Sequence, residues 1–151
     1  IIGNTLMKFK TELLIKKPRP EVWKFFSDHD KIKLWQPTLT KIESISGGEG
    51  QPGAESKWTY EENGREFSLT EKLLRCEEPG HYESFFENAF ASNTVNHMFS
   101  EQSSHETLWT IETEYKFKTL LMKVLGSFFK KNYVLRSQRE MERFKEMMEK
   151  E

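Results

Sequence analysis

The chain closes with a change of hydrophobic period that only a few architectures accommodate. From Glu106 to Lys118 the side chains alternate, with Trp109, Ile111, Thr113, Tyr115 and Phe117 on one face and Thr110, Glu112, Glu114 and Lys116 on the other. That is the period of two of a half-buried strand. After Thr119 the apolar residues Leu121, Val124, Leu125, Phe128, Leu135, Met141, Phe144 and Met148 fall at spacings of three, four and seven, or sums of these. That is the stripe of an amphipathic helix. The pattern predicts one helix near Phe117 to Glu149, about 30 residues and about 45 Å long, enough to lie across a whole sheet. Gly126 within it marks either a kink or a close-packing point.

Everything before this helix is strand-like except one short stretch. Phe9 to Lys16 reads as a first strand, and Pro18 and Pro20 then stop sheet pairing. Pro20 suits a first helical turn, Glu21 favours a helix N-terminus, and Val22, Trp23, Phe25 and Phe26 give that helix an apolar face. Asp28 can cap a second short helix whose Ile32, Leu34 and Trp35 pack inward, and Pro37 ends it. Further strands are read at Thr38–Ser46, Ser56–Glu61, Arg65–Cys76, His81–Glu87 and Thr94–Gln102. Asn63-Gly64 is a hairpin turn and Gly47 to Gly53 a loop. A strand, short helices, a meander and a long helix make an α+β order that suggests a sheet curled around a helix, with room between them.

The bulk properties narrow the classes. A chain of 151 residues fits one domain. Met7 looks like its start, and Ile1–Leu6 is set apart as an N-terminal extension. A net charge of −1 gives no basic field for nucleic acid, and no apolar run is long enough to span a membrane. One cysteine, Cys76, excludes an internal disulfide and, with no secretion signal, points to a cytoplasmic setting. Neither a phosphate loop nor a nucleophile elbow is present.

The stretch Pro18-Arg19-Pro20-Glu21-Val22-Trp23-Lys24-Phe25-Phe26, then Leu34-Trp35-Gln36-Pro37, the Gly47–Gly53 loop, Glu77-Glu78-Pro79-Gly80-His81-Tyr82 and Thr107-Leu108-Trp109-Thr110 occur in an order that resembles the START-like, or SRPBCC, superfamily. This group includes polyketide cyclase/dehydratase-like and pollen-allergen-like lipid-binding proteins. The resemblance runs from Met7 onward. It implies a helix-grip fold: a seven-stranded antiparallel sheet wrapped around a long C-terminal helix, two short helices after strand one, and an apolar cavity between. Members bind lipids, sterols, polyketides and plant hormones; some are cyclases or aromatases and some assist chaperones. The connection before the last strand, Ser103-Ser104-His105, departs from the usual Gly-rich turn. No catalytic motif is shared across the superfamily, so none is carried over.

Strand parity selects the candidate ligand-binding face: Trp58, Tyr60, Phe67, Leu69, Tyr82, Ser84, Phe86, Val95, His97, Phe99, Trp109, Ile111, Thr113, Tyr115 and Phe117, closed from the helix by Val124, Leu125 and Phe128. His97 stands among apolar neighbours. It is either an acid/base group and ligand anchor, or a core histidine satisfied by a neighbouring Tyr or Glu. Glu71 and Glu101 share its inward parity under strict alternation, although a bulge would turn either one outward. A His97–carboxylate–Tyr group would support cyclase-type chemistry. His97, Glu101 and His105 lie four apart, but on strand and turn they form no single stripe, so no metal or other cofactor is expected.

Lys118, Lys123, Lys130, Lys131 and Arg136 flank Leu120, Leu121, Met122, Phe128 and Phe129, with Lys16, Lys17 and Arg19 as additions if the first turn lies nearby. Such a surface suits weak contact with anionic lipid, or simply solvates the helix. The leading expectation is a monomer or homodimer that binds a small hydrophobic ligand for transport, sensing or sequestration. A cyclase-type enzyme and a chaperone-assisting module with an exposed apolar patch are the rival readings.

Overall fold

The computed structural model describes residues 6–150. Its strands are β1 (Leu6–Ile15), β2 (Leu39–Ser46), β3 (Glu55–Glu62), β4 (Arg65–Glu77), β5 (His81–Glu87), β6 (Ala91–Ser103) and β7 (Glu106–Phe117). They form one seven-stranded sheet in the order β1-β7-β6-β5-β4-β3-β2, antiparallel throughout. The helices are α1 (Arg19–Phe26), α2 (Ile32–Trp35), α3 (Leu120–Phe128) and α4 (Lys130–Glu149), with a 3-10 turn at His29–Lys31. This is the expected helix-grip architecture. β1 begins at Leu6, one residue before the expected domain start, and the rest of the proposed extension lies outside the described residues.

Local chemistry sets the short elements. Pro20 sits in the first turn of α1, where its missing N–H leaves no bond unmade. The Asp28 carboxylate accepts from the Asp30 N–H at 3.0 Å and starts the 3-10 turn. Ile32 and Trp35 are buried as expected, but Leu34 is exposed. Two residues on from Ile32 is about 200° around a helix, which carries Leu34 away from the core. Asn63 and Gly64 have φ of 52° and 77°, the type I′ geometry that matches the twist of a two-residue hairpin.

The sheet curls where its register slips, at irregularities in β2, β4 and β6. The slip in β4, between Leu73 and Arg75, also changes which parity faces inward. Glu71 and Leu73 are buried before it, and Cys76 reaches the inner side after it.

The core fills one end of the grip. Trp109 and Phe144, both 0% exposed, meet with ring centroids 4.6 Å apart. Trp35 packs edge-on to both, and Phe25 meets Phe144 edge-on at 5.0 Å. Here α4 is also tied to the end of β1. Lys145 Nζ donates to the Leu14 carbonyl at 2.9 Å, and the Lys16 N–H donates to Glu149 at 3.0 Å.

The C-terminal helix is not continuous. Phe129, with φ −98° and ψ 13°, separates α3 from α4. Gly126 is the close-packing point rather than the kink: a Cβ there would lie 2.2 Å from Phe117 Cζ. α3, capped by Thr119 Oγ1 accepting from the Met122 N–H at 3.1 Å, is held back against the end of β7. α4 must run instead toward Trp109 and β1, and one straight rod cannot do both. Because Phe144 makes the central contact, Phe144→Ala is expected to lower stability by about 3–5 kcal/mol, measured by urea unfolding.

Candidate functional site

Beyond the aromatic core, the sheet, α1–α2 and the N-terminal half of α4 enclose a cavity of about 900 Å³. Its strand walls carry Trp58, Tyr60, Phe67, Leu69, Tyr82, Ser84, Phe86, Val95, His97, Ile111, Thr113, Tyr115 and Phe117. Five further members of the expected set stand elsewhere. Phe99 and Trp109 are on the inward parity but are sealed in the core under α1, α2 and α4. Val124, Leu125 and Phe128 are exposed, because α3 lays Met122 and Gly126 toward the body and turns that stripe outward. Glu101 is exposed at the far end of β6, beside the register slip, and does not reach the wall.

Sequence reasoning missed the α4 wall: Tyr133, Arg136, Ser137 and Glu140. Their spacings of three, four and seven continue the stripe of Phe144 and Met148 in polar residues. Ser137 also meets Thr11 of β1, Oγ to Oγ1, at 3.2 Å. Phe9, Trp23, Phe26, Trp35 and Cys76 also line the cavity, although none was expected at the ligand-binding face.

Burial disfavours the charged form of several polar groups on the wall. Glu71 accepts from Ser84 Oγ at 2.7 Å and from Ser56 Oγ at 3.2 Å, and Ser56 in turn accepts from Trp58 Nε1 at 2.9 Å. Burial pushes the Glu71 carboxyl up despite these two donors. Glu140 makes no hydrogen bond and no close ion pair with another described residue, and desolvation raises it to about 7. Tyr115 is raised to about 12, and Tyr60 and Tyr82 are also raised, all chiefly by burial. The Tyr60 hydroxyl donates to Gln36 at 3.3 Å.

His97 finds neither of its expected partners. Trp109 Nε1 lies 3.2 Å from His97 Nδ1. An indole nitrogen only donates, so Nδ1 accepts and the neutral ring carries its proton on Nε2. Burial lowers the imidazole to about 3, so it stays neutral across the physiological range and offers a donor rather than a base. Arg136 and His29 on the wall already have partners. Arg136 Nη2 lies 3.2 Å from Glu62, and His29 Nδ1 lies 3.3 Å from Glu49. Among the described residues no group of three His, Cys, Asp or Glu side chains is placed to hold a metal.

A family model described as polyketide cyclase / dehydrase and lipid transport matches residues 7–149, and the chain belongs to that family. Comparison with curated protein sequences finds no match. Among solved structures, the chain is similar to Ara h 8.0201, at 17% identity and a TM-score of 0.76 over 97% of this chain and 100% of that one. It is similar to a protein of unknown function from Staphylococcus aureus, at 14% identity and a TM-score of 0.79 over 99% and 98%. It is similar also to the Zhui aromatase/cyclase from a Streptomyces species, at 10% identity and a TM-score of 0.76 over 96% and 94%. At such identities the likeness shows the fold alone.

Two pH measurements check this electrostatic picture. The ring ¹⁵N shifts of His97 are expected to stay in the neutral Nε2–H pattern from pH 8 down to about 4.5; a midpoint near 6.5 would contradict it. Glu140 has a folded pKa above its unfolded one. Its stabilising contribution is therefore complete below about 4.5 and lost as pH rises through about 7. Glu140→Gln is accordingly expected to raise stability at pH 8 by on the order of 1–2 kcal/mol and to flatten this part of the pH profile, read by urea unfolding.

Proposed function

We propose that the protein binds an uncharged, largely apolar small molecule, such as a lipid or a polyketide-like aromatic, in the cavity between sheet and α4. The observation that carries this reading is the cavity itself. About 900 Å³, with aromatic and aliphatic side chains on the strand walls and hydrogen-bonding side chains placed among them, has the size and character of a ligand pocket. The relatives known as lipid transport proteins and polyketide cyclases support the same class of ligand.

The charge state of the wall supports the word uncharged. An anionic ligand would find Arg136 already paired with Glu62, and it would lie against Glu71 and Glu140. A neutral ligand bearing carbonyl or hydroxyl groups would meet donors from the phenols and the His97 Nε2–H, and from Glu140 in its protonated form. Affinity then comes mainly from buried apolar area, at roughly 25 cal/mol per Å² before the costs of association.

The test is titration with the neutral fluorophore N-phenyl-1-naphthylamine, followed by competition. A long-chain alcohol is expected to displace it at least about tenfold more effectively than the carboxylate of equal length. Val95→Trp, which fills part of the cavity, should abolish binding while the fold is retained. A wild-type protein that takes up no probe would overturn the reading.

One observation favours a second reading. Glu140, raised to about 7 and facing the cavity, has the pKa of a general acid, as a cyclase-type reaction would require. His97 does not serve that role at neutral pH, because burial keeps its ring from taking up the proton it would have to deliver.

A further inference from the structure

Among the described residues, the most exposed apolar surface is a helix turned inside out. Leu120, Leu121, Val124 and Phe128 of α3 are 55%, 63%, 58% and 79% exposed, and Leu125 and Phe129 are exposed beside them. Residues 120, 121, 124, 125 and 128 fall on one stripe of the helix. Met122 and Gly126 take the opposite side, on the cavity wall and against Phe117. The patch extends to Phe90, 59% exposed in the β5–β6 turn, whose carbonyl accepts from the Lys118 N–H at 3.0 Å. Single exposed apolar residues need no explanation, but a contiguous stripe of this kind marks a contact surface.

The charges around the stripe identify what it fits. Between Glu114 and Glu140 the chain carries seven lysines and arginines and no acidic residue, although its net charge is −1. Lys123 lies within α3, and Lys130 and Lys131 follow at the start of α4; none of the three makes an ion pair with a described residue. Lys16, Lys17 and Arg19 do not join them. They follow β1 at the end that pairs with the start of β7, a full strand length from α3. Glu87, beside the β5–β6 turn, is already paired with Lys118 at 3.1 Å, and an apolar stripe bordered by the unpaired Lys123, Lys130 and Lys131 is the signature of a helix that lies in a lipid interface.

We propose that α3 and the β5–β6 turn dock on the surface of an anionic phospholipid bilayer, with the stripe among the acyl chains and Lys123, Lys130 and Lys131 at the headgroups. Met122, Phe117 and Phe90 line the cavity as well as adjoining this face, so docking would bring the lipid surface to one end of the cavity. The docking itself does not depend on what the cavity holds.

The test is co-sedimentation of the full chain with phosphatidylcholine vesicles, with and without about 30% phosphatidylserine. The wild-type protein is expected to bind the anionic vesicles and to be released by salt. Leu121→Ser combined with Phe128→Ser should lose binding while far-UV circular dichroism is unchanged, since both side chains are outside the core. Lys130→Glu combined with Lys131→Glu should weaken binding by about fivefold or more per charge, a second readout that leaves the apolar stripe intact. No binding to either vesicle, or binding that survives the serine pair, would overturn the proposal. So would a dimer in sedimentation velocity that the serine pair dissociates, because a second copy would then cover the face.

Discussion

The contact between Trp109 and Phe144 is the constraint on which the rest of the grip depends. Helix α4 cannot lie flat on a curled sheet along its whole length, so it must be anchored at one end. The two rings supply the anchor, with Trp35 and Phe25 edge-on around them and Lys145 and Glu149 bonded to the end of β1. Interiors pack at near-crystalline density, so a joint of this kind is stiff. Further along, α4 stands away from a surface that continues to curve, and the gap is the cavity. Pocket and core are thus two outcomes of one packing problem.

The same geometry explains the composition of α4. Its inward stripe runs from Met148, Phe144 and Met141 to Glu140, Ser137 and Tyr133, from apolar to polar, as the helix leaves the core and enters the cavity wall. Removing a carboxyl from water without a compensating partner is costly, and proteins respond by neutralising it. Glu140 follows that rule, whereas Glu71 is shifted in the same direction but keeps two serine donors, and the result is a cavity rich in hydrogen-bonding groups.

Much of this was legible in the sequence. The alternation from Trp109 to Phe117 set the inner face of β7, and Asn63-Gly64 set the hairpin. Tyr82, Ser84 and Phe86 followed from simple parity. What escaped had definite causes. Cys76 changes sides because of one register slip in β4, which no periodicity reveals. Val124, Leu125 and Phe128 have correct helical spacing, but spacing does not say which way a stripe faces. The ordinary inference, apolar side inward, fails because Gly126 lets the opposite side approach Phe117. The wall residues of α4 were hidden by their polarity, since a search for an apolar lining passes over a glutamate and a serine.

Trp109 carries one consequence beyond packing. Its indole fixes the tautomer of His97, and so determines that the imidazole presents an N–H, not a lone pair, to whatever enters. In the proposed reading, the recognition chemistry of the pocket is in part dictated by a residue that is not on its wall. Evolution cannot retune that donor independently of the fold: a lineage that reshapes position 109 for stability also rewrites which functional groups the pocket accepts. Among relatives of this chain, ligand preference and core composition at this position should therefore drift together.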